Sequence, residues 1–186
     1  ITGFSSDSSG TLNTISQTLQ NTGTSIGVVR YVITPFIGLC PGTPVNVDIT
    51  VNPIGQVNVI SSQVFCPGNP STAVVFSSSN TGITTYTWTN DNLAIGLAAS
   101  SGGAVTGIPS FIVTNTTAAP ITGIISVVPT YTNGGVSCVG ATETFTITVN
   151  PTPIIILSSA ASTTNQTICV NSPIIPIQYT FGAGVT

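Results

Sequence analysis

The sequence predicts an all-β protein made of two-sheet sandwiches strung end to end, and three observations predict it. Ser and Thr supply 53 of the 186 residues, whereas Lys, Arg, Asp and Glu together supply five. The polar faces are therefore neutral and hydroxyl-bearing, which suits exposed strand faces because Thr is β-branched and still bonds water. Short apolar stretches alternate with polar residues and are bounded by Gly, Pro, Asn or Ser, the pattern of half-buried strands. The whole pattern also recurs after about a hundred residues, the period of a small domain rather than of a solenoid turn. No window of helical length carries apolar residues at three- and four-residue spacing, so no substantial helix is expected.

The recurrence is specific. Cys40, Gly42, Ile49, Thr50, Val51, Asn52 and Pro53 return 98 positions later as Cys138, Gly140, Ile147, Thr148, Val149, Asn150 and Pro151. Asn21, Thr22 and Pro35 return at an offset of 94 as Asn115, Thr116 and Pro129, and Cys66 and Pro70 return at 103 as Cys169 and Pro173. Unequal offsets put the length differences in loops. On this reading residues 54–152 form one complete repeat, residues 1–53 the back part of a preceding one, and residues 153–186 the front part of the next. Asn-Pro joins them, and proline keeps the junction extended and stiff.

Within residues 54–152 the strands are expected at 56–60 and 63–65 as a broken first strand, then at 72–76 and 84–89. Residues 91–92 read as a turn, 93–98 as a weak strand and 100–103 as a loop. Strands at 111–115, 121–128 and 143–149 complete a set of about seven. Tyr86 and Trp88 share one face of their strand, with threonines on the other, so both are expected in the core.

Composition removes most functions. One Arg and no Lys cannot neutralise a row of phosphates, so nucleic acid is not a partner. No apolar run approaches the roughly 18 residues of a membrane span. Without His or Lys no base is available to activate the many hydroxyls, and Asp91 and Glu143 fall on separate elements rather than forming a carboxylate pair. No closely spaced Cys or His pair offers a zinc site. Asp91, between Asn90 and Asn92, reads as a solvated turn rather than a calcium ligand. Neither a metal nor a cofactor is expected, nor an enzyme. The sequons at Asn115 and Asn165 read as accidental.

The strings Tyr86-Thr87-Trp88-Thr89-Asn90-Asp91-Asn92, Ile108-Pro109-Ser110-Phe111 and Phe145-Thr146-Ile147-Thr148-Val149-Asn150-Pro151 resemble the PKD-like, immunoglobulin-like repeats of very large Bacteroidetes surface proteins, among them the adhesins of gliding flavobacteria. The resemblance implies secretion, attachment to the outer membrane at the cell surface, and many tandem copies. The expected role is a non-catalytic stalk or filament whose partners are neighbouring repeats, a contacted surface or polysaccharide, and its own copies laterally, since few charges guard the strand edges. The alternative is a carbohydrate-binding or spacer module of a secreted polysaccharide-degrading enzyme, with loops 99–107 and 130–137 as its contact surface.

The four cysteines allow several pairings. Cys40 and Cys66 are separated by two strands running on in one direction, beyond a disulfide's reach. The expected bridge is Cys66–Cys138, with Cys40 and Cys169 paired outside these residues or unpaired; four free thiols are the other reading. Tyr131, beside Asn133, Gly134 and Gly135, is expected to be an exposed aromatic contact.

Overall fold

The computed structural model describes residues 1–5 and 14–182. Among them no α-helix occurs; the chain is strands joined by turns and two short 3₁₀ segments. Strand β1 (Gly27–Ile33) pairs antiparallel with β4 (Val45–Val51), and β2 (Phe36–Ile37) and β3 (Cys40–Pro41) form a small hairpin between them. Residues 54–152 then contribute seven strands: β5 (Gln63–Phe65), β6 (Val74–Val75), β7 (Ile83–Asn90), β8 (Gly107–Ile108), β9 (Ile121–Asn133), β10 (Val136–Val139) and β11 (Glu143–Val149). A last pair, β12 (Ile155–Leu157) and β13 (Tyr179–Phe181), stands near the C-terminal end.

Strand β9 organises the main sheet. One edge takes β7, from Ile83 opposite Thr132 to Asn90 opposite Ile125. The other edge takes β11 along Ile121 to Val127 and then β10 along Thr130 to Asn133. Pro129 marks the change of partner. Its carbonyl accepts the Gly140 N–H at 2.9 Å, and the N–H that proline lacks would fall in the gap between β11 and β10, where no ladder partner is lost. The strand expected to stop at residue 128 therefore runs on for five more residues. Beyond β11, β5 lies parallel, with Phe65 opposite Val149.

A thinner layer faces this sheet. Strands β6 and β8 pair in it, Pro70 bridges Ile112, and Asn58 N–H donates to the Ser77 carbonyl. Apolar residues of both layers meet in one core that includes Phe76, Trp88, Ile95, Ile108, Ile125 and Phe145.

Two local expectations are corrected. Residues 93–98 begin with a 3₁₀ turn, Leu93–Ile95, because the Asn92 side chain accepts the Ala94 N–H and Gly96 ends the turn at φ 94°; these are a cap and a left-handed stop, and they outweigh weak strand propensity. Residues 56–60 and 111–115 run extended without joining a ladder, apart from the single bridge at Ile112. The stretch after Tyr131 is a hairpin, as expected: Gly134 and Gly135, at φ 59° and 77°, supply the two left-handed positions that a tight hairpin turn requires.

Residues 21–51 and 115–149 share their ladder register and several bonds at matching atoms. Gly27 opposite Val51 and Ile33 opposite Val45 correspond to Ile121 opposite Val149 and Val127 opposite Glu143, so the register is the same over all seven pairs. The Gly42 N–H donates to Pro35 O at 2.8 Å as Gly140 does to Pro129 O. Asn21 Nδ2 donates to Ser25 O and Val51 O, and Asn115 Nδ2 to Ala119 O and Val149 O, all at 2.8 Å. At the other end of the pattern Gln63 Nε2 donates to Thr72 O and Gln166 Nε2 to Ile175 O.

Candidate functional site: a bonded joint and an open apolar face

The joint lies where β4 hands over to residues 54–152. Asn52 Nδ2 donates to Asn133 O at 3.2 Å, and Asn133 Nδ2 donates back to Asn52 Oδ1 at 2.9 Å. Beside them the Thr81 N–H donates to Thr24 O at 2.9 Å. Asn80 works from both ends of its side chain: Oδ1 accepts the Gln56 N–H at 2.7 Å and Nδ2 donates to Ile54 O at 3.1 Å. Pro53 is buried. The Gly55 N–H donates to Cys138 O at 3.1 Å, and a Cβ on Gly140 would overlap the Gly55 carbonyl. These six bonds, three of them between residues 1–53 and residues 54–152, and a fixed proline make this junction a positioned contact rather than a free linker.

The open face belongs to the β1–β4 pair. Ile33, Val47 and Ile49 are 45%, 38% and 39% exposed, whereas their counterparts Val127, Phe145 and Ile147 are 0%, 2% and 1% exposed. Ile15 and Leu19 turn the face into a shallow apolar groove, closed at one side by Tyr31, whose hydroxyl donates to Gln17 Oε1. The chain's one cation sits on the opposite face, where Arg30 Nε and Nη2 donate to Asp48 Oδ1 and Oδ2 at 2.7 Å each. The groove is uncharged.

Trp88 and Tyr86 point inward, each 6% exposed, with Phe76 packed on Tyr86 at 5.4 Å between ring centres. Tyr131, expected at the surface, is 2% exposed and donates its hydroxyl to Thr81 O at 3.2 Å. The correction follows from β9 continuing past Pro129, which carries Tyr131 into the sheet with its ring on the inner face. Asp91 is occupied as a turn residue, its Oδ1 accepting the Ile124 N–H at 2.7 Å; among the described residues no three Cys, Asp or Glu side chains gather as a metal site would require. Asn115 is buried with both amide atoms bonded, and loop 99–107 closes on β7 through bridges at Ser100 and Val105.

The expected Cys66–Cys138 bridge is absent, and all four cysteines are free: Cys40, Cys66 and Cys169 exposed, Cys138 half-buried. Sheet topology is the reason. Cys66 follows Phe65 at the Ile121 end of the main sheet, and Cys138 lies opposite Tyr131 at the other end. Ten residues of strand β9 separate the two levels, about 30 Å at 3.3 Å per residue, five times a disulfide's span. The hairpin that places Cys138 there, β9–β10, had no strand signal beyond Val136 and Val139 flanking two small polar residues. The joint asparagines Asn52, Asn80 and Asn133 were likewise missed, although Asn52 was visible as half of a recurring Asn-Pro.

Comparison with known proteins adds one result that bears on these bodies. No curated protein matches the chain. PKD-like domains are generally non-catalytic, and residues 1–55, which contain the β1–β4 pair and its open face, match the PKD-like domain family.

Proposed function

We propose that the chain is a non-catalytic structural repeat of a long bacterial cell-surface adhesin or filament, and that it acts as a stalk presenting adhesive regions for attachment or gliding. Residues 1–53, 54–152 and 153–186 are then the back of one repeat, a whole one and the front of a third, displayed outside the cell on an outer-membrane-attached parent. The observation that carries this reading is the recurrence of the Asn21 bonds at Asn115, in bodies joined by a fixed contact rather than a loose tether.

The mechanics follow from β5 and β11. They are the first and last main-sheet strands of residues 54–152 and lie parallel, so tension applied at the two ends shears their ladder and loads its bonds together. Lateral association of the uncharged strand edges into a filament fits the same role. Tyr131, on which a carbohydrate-contact reading leaned, lies in the core, so that alternative has lost its aromatic contact.

Single-molecule pulling on the parent polypeptide tests the proposal. A regular sawtooth, each event releasing roughly one hundred residues, is the expected record; smooth extension without discrete events would overturn it.

A further inference from the structure

Asn133 has a reactivity beyond its hydrogen bonds. Of the chain's asparagines it alone precedes a glycine. It stands opposite Val136 across a two-residue turn in which Gly134 and Gly135 take the left-handed positions. Such a turn closes its ladder between the flanking residues, so the Gly134 N–H falls outside it; among the described residues that N–H donates to no backbone carbonyl. A main-chain nitrogen unhindered by a Cβ, following a side-chain amide carbon, is the arrangement from which asparagine closes a five-membered imide. The same side chain is half of the joint. Asn133 Nδ2 donates to Asn52 Oδ1 at 2.9 Å, and Asn133 O accepts from Asn52 Nδ2 at 3.2 Å.

We propose that Asn133 is a self-modifying site, held back while the joint is closed and unlatching the joint once it has reacted. The Gly134 nitrogen, giving its proton to solvent base, bonds to Asn133 Cγ; the Cγ–Nδ2 bond breaks, ammonia leaves, and a succinimide closes. Water then opens the ring. Addition at Cγ leaves aspartate, and addition at the main-chain carbonyl leaves isoaspartate. One water is consumed and one ammonia released, with no change of oxidation state. The departing atom, Nδ2, is the one that donates to Asn52 Oδ1, so latch and reaction compete for it. The product cannot restore the latch. A carboxylate has no hydrogen to offer Asn52 Oδ1, and turning the Asn52 amide over sets its oxygen against Asn133 O instead. The new charge is ionised above about pH 4, and the chain's one cation, Arg30, is already paired with Asp48. Isoaspartate also inserts a main-chain carbon at the tip of β9, displacing the hairpin whose Cys138 O accepts the Gly55 N–H. In a stalk under load the step records that the joint has opened; that use rests on the stalk reading, and the chemistry does not.

Peptide mass spectrometry on the 186-residue chain, held for increasing times at mildly alkaline pH and digested at low pH, tests it. Asn133 should gain the one-dalton increment of amide-to-acid conversion ahead of every other asparagine, as both aspartate and isoaspartate. Asn52→Ala should hasten that conversion about fivefold, the factor for one bond of about 1 kcal/mol. The same variant should leave Asn171, which precedes Ser172, at its original rate, so that a general loss of structure is distinguished from release of the latch. Asn133→Asp should widen the distances between spin labels across the joint as Asn133→Ala does. An Asn133 that converts no sooner than Asn171 overturns the site. A rate that Asn52→Ala leaves unchanged, or raises equally at Asn171, overturns the restraint, and an unaltered distance distribution in Asn133→Asp overturns the unlatching. All of these are read without load, so their failure would leave the sawtooth test and the stalk reading untouched.

Discussion

Asn52 and Asn133, 81 positions apart in the sequence, bond to each other twice across the joint. The Asn52 amide accepts from the Asn133 side chain and donates to the Asn133 main-chain carbonyl, so the pair sets the angle at which one body meets the next. Asn133→Ala should leave the melting temperature of residues 54–152 within a few degrees while widening the spread of distances between spin labels placed on either side of the joint. A double-mutant cycle with Asn52→Ala should return a coupling of about 1 kcal/mol, the net worth of such bonds. Additive single effects would show that the two amides do not act as a pair.

Asn115 and Asn21 make the same bonds in different surroundings, Asn115 buried and Asn21 half-exposed. Truncating a buried amide leaves carbonyls without donors, at about 2 kcal/mol, whereas water replaces the exposed one. Asn115→Ala should therefore lower the urea midpoint clearly and Asn21→Ala hardly at all. Equal shifts would contradict the burial argument.

Tyr131→Ala separates a core ring from a surface contact. In the core, loss of the ring and its bond to Thr81 should cost about 3 to 5 kcal/mol, comparable to Trp88→Ala; an exposed tyrosine would cost under about 0.5 kcal/mol. Equilibrium unfolding in denaturant reads the difference directly.

Because Cys66 and Cys138 lie at opposite ends of a sheet, oxidation cannot bridge them within one folded body. Thiol titration of the chain should count four groups after denaturation, with Cys138 reacting last under native conditions. A reductant should not change the melting temperature. A lowered one would reveal an intrachain bridge that this topology forbids.

The pH dependence has two limbs. The hydrogen bond from Arg30 holds the Asp48 carboxyl below its ordinary value, against a small opposing effect of desolvation and helped by the guanidinium charge. A depressed folded value means the contribution is present above the unfolded value, about 4, and is lost as pH falls through the folded one. Burial raises the Tyr86 phenol, with Ser78 partly offsetting it. That contribution is complete below about pH 10 and is lost as pH rises from there toward the raised value. Thermal melts should be level between about pH 5 and pH 8. They should fall at both ends, and Asp48→Asn should soften only the acid limb.

The sequence by itself determined what is local or periodic. Alternation placed Tyr86 and Trp88 on one face of their strand and threonines on the other, and the offsets of 94, 98 and 103 were readable before any contact was known. These features survive in one dimension because strand periodicity and Asn, Gly and Pro punctuation act over a few residues. Tertiary pairing decided the rest. Whether Cys138 stood near Cys66, or Tyr131 reached water, depended on β9 running through Pro129 and changing partner there. That outcome follows from where a missing N–H falls relative to strands distant in sequence. The three joint asparagines and the open face of β1 and β4 emerged in the same way: side chains that looked alike in the sequence were told apart by which sheet end they occupied and by what covered them.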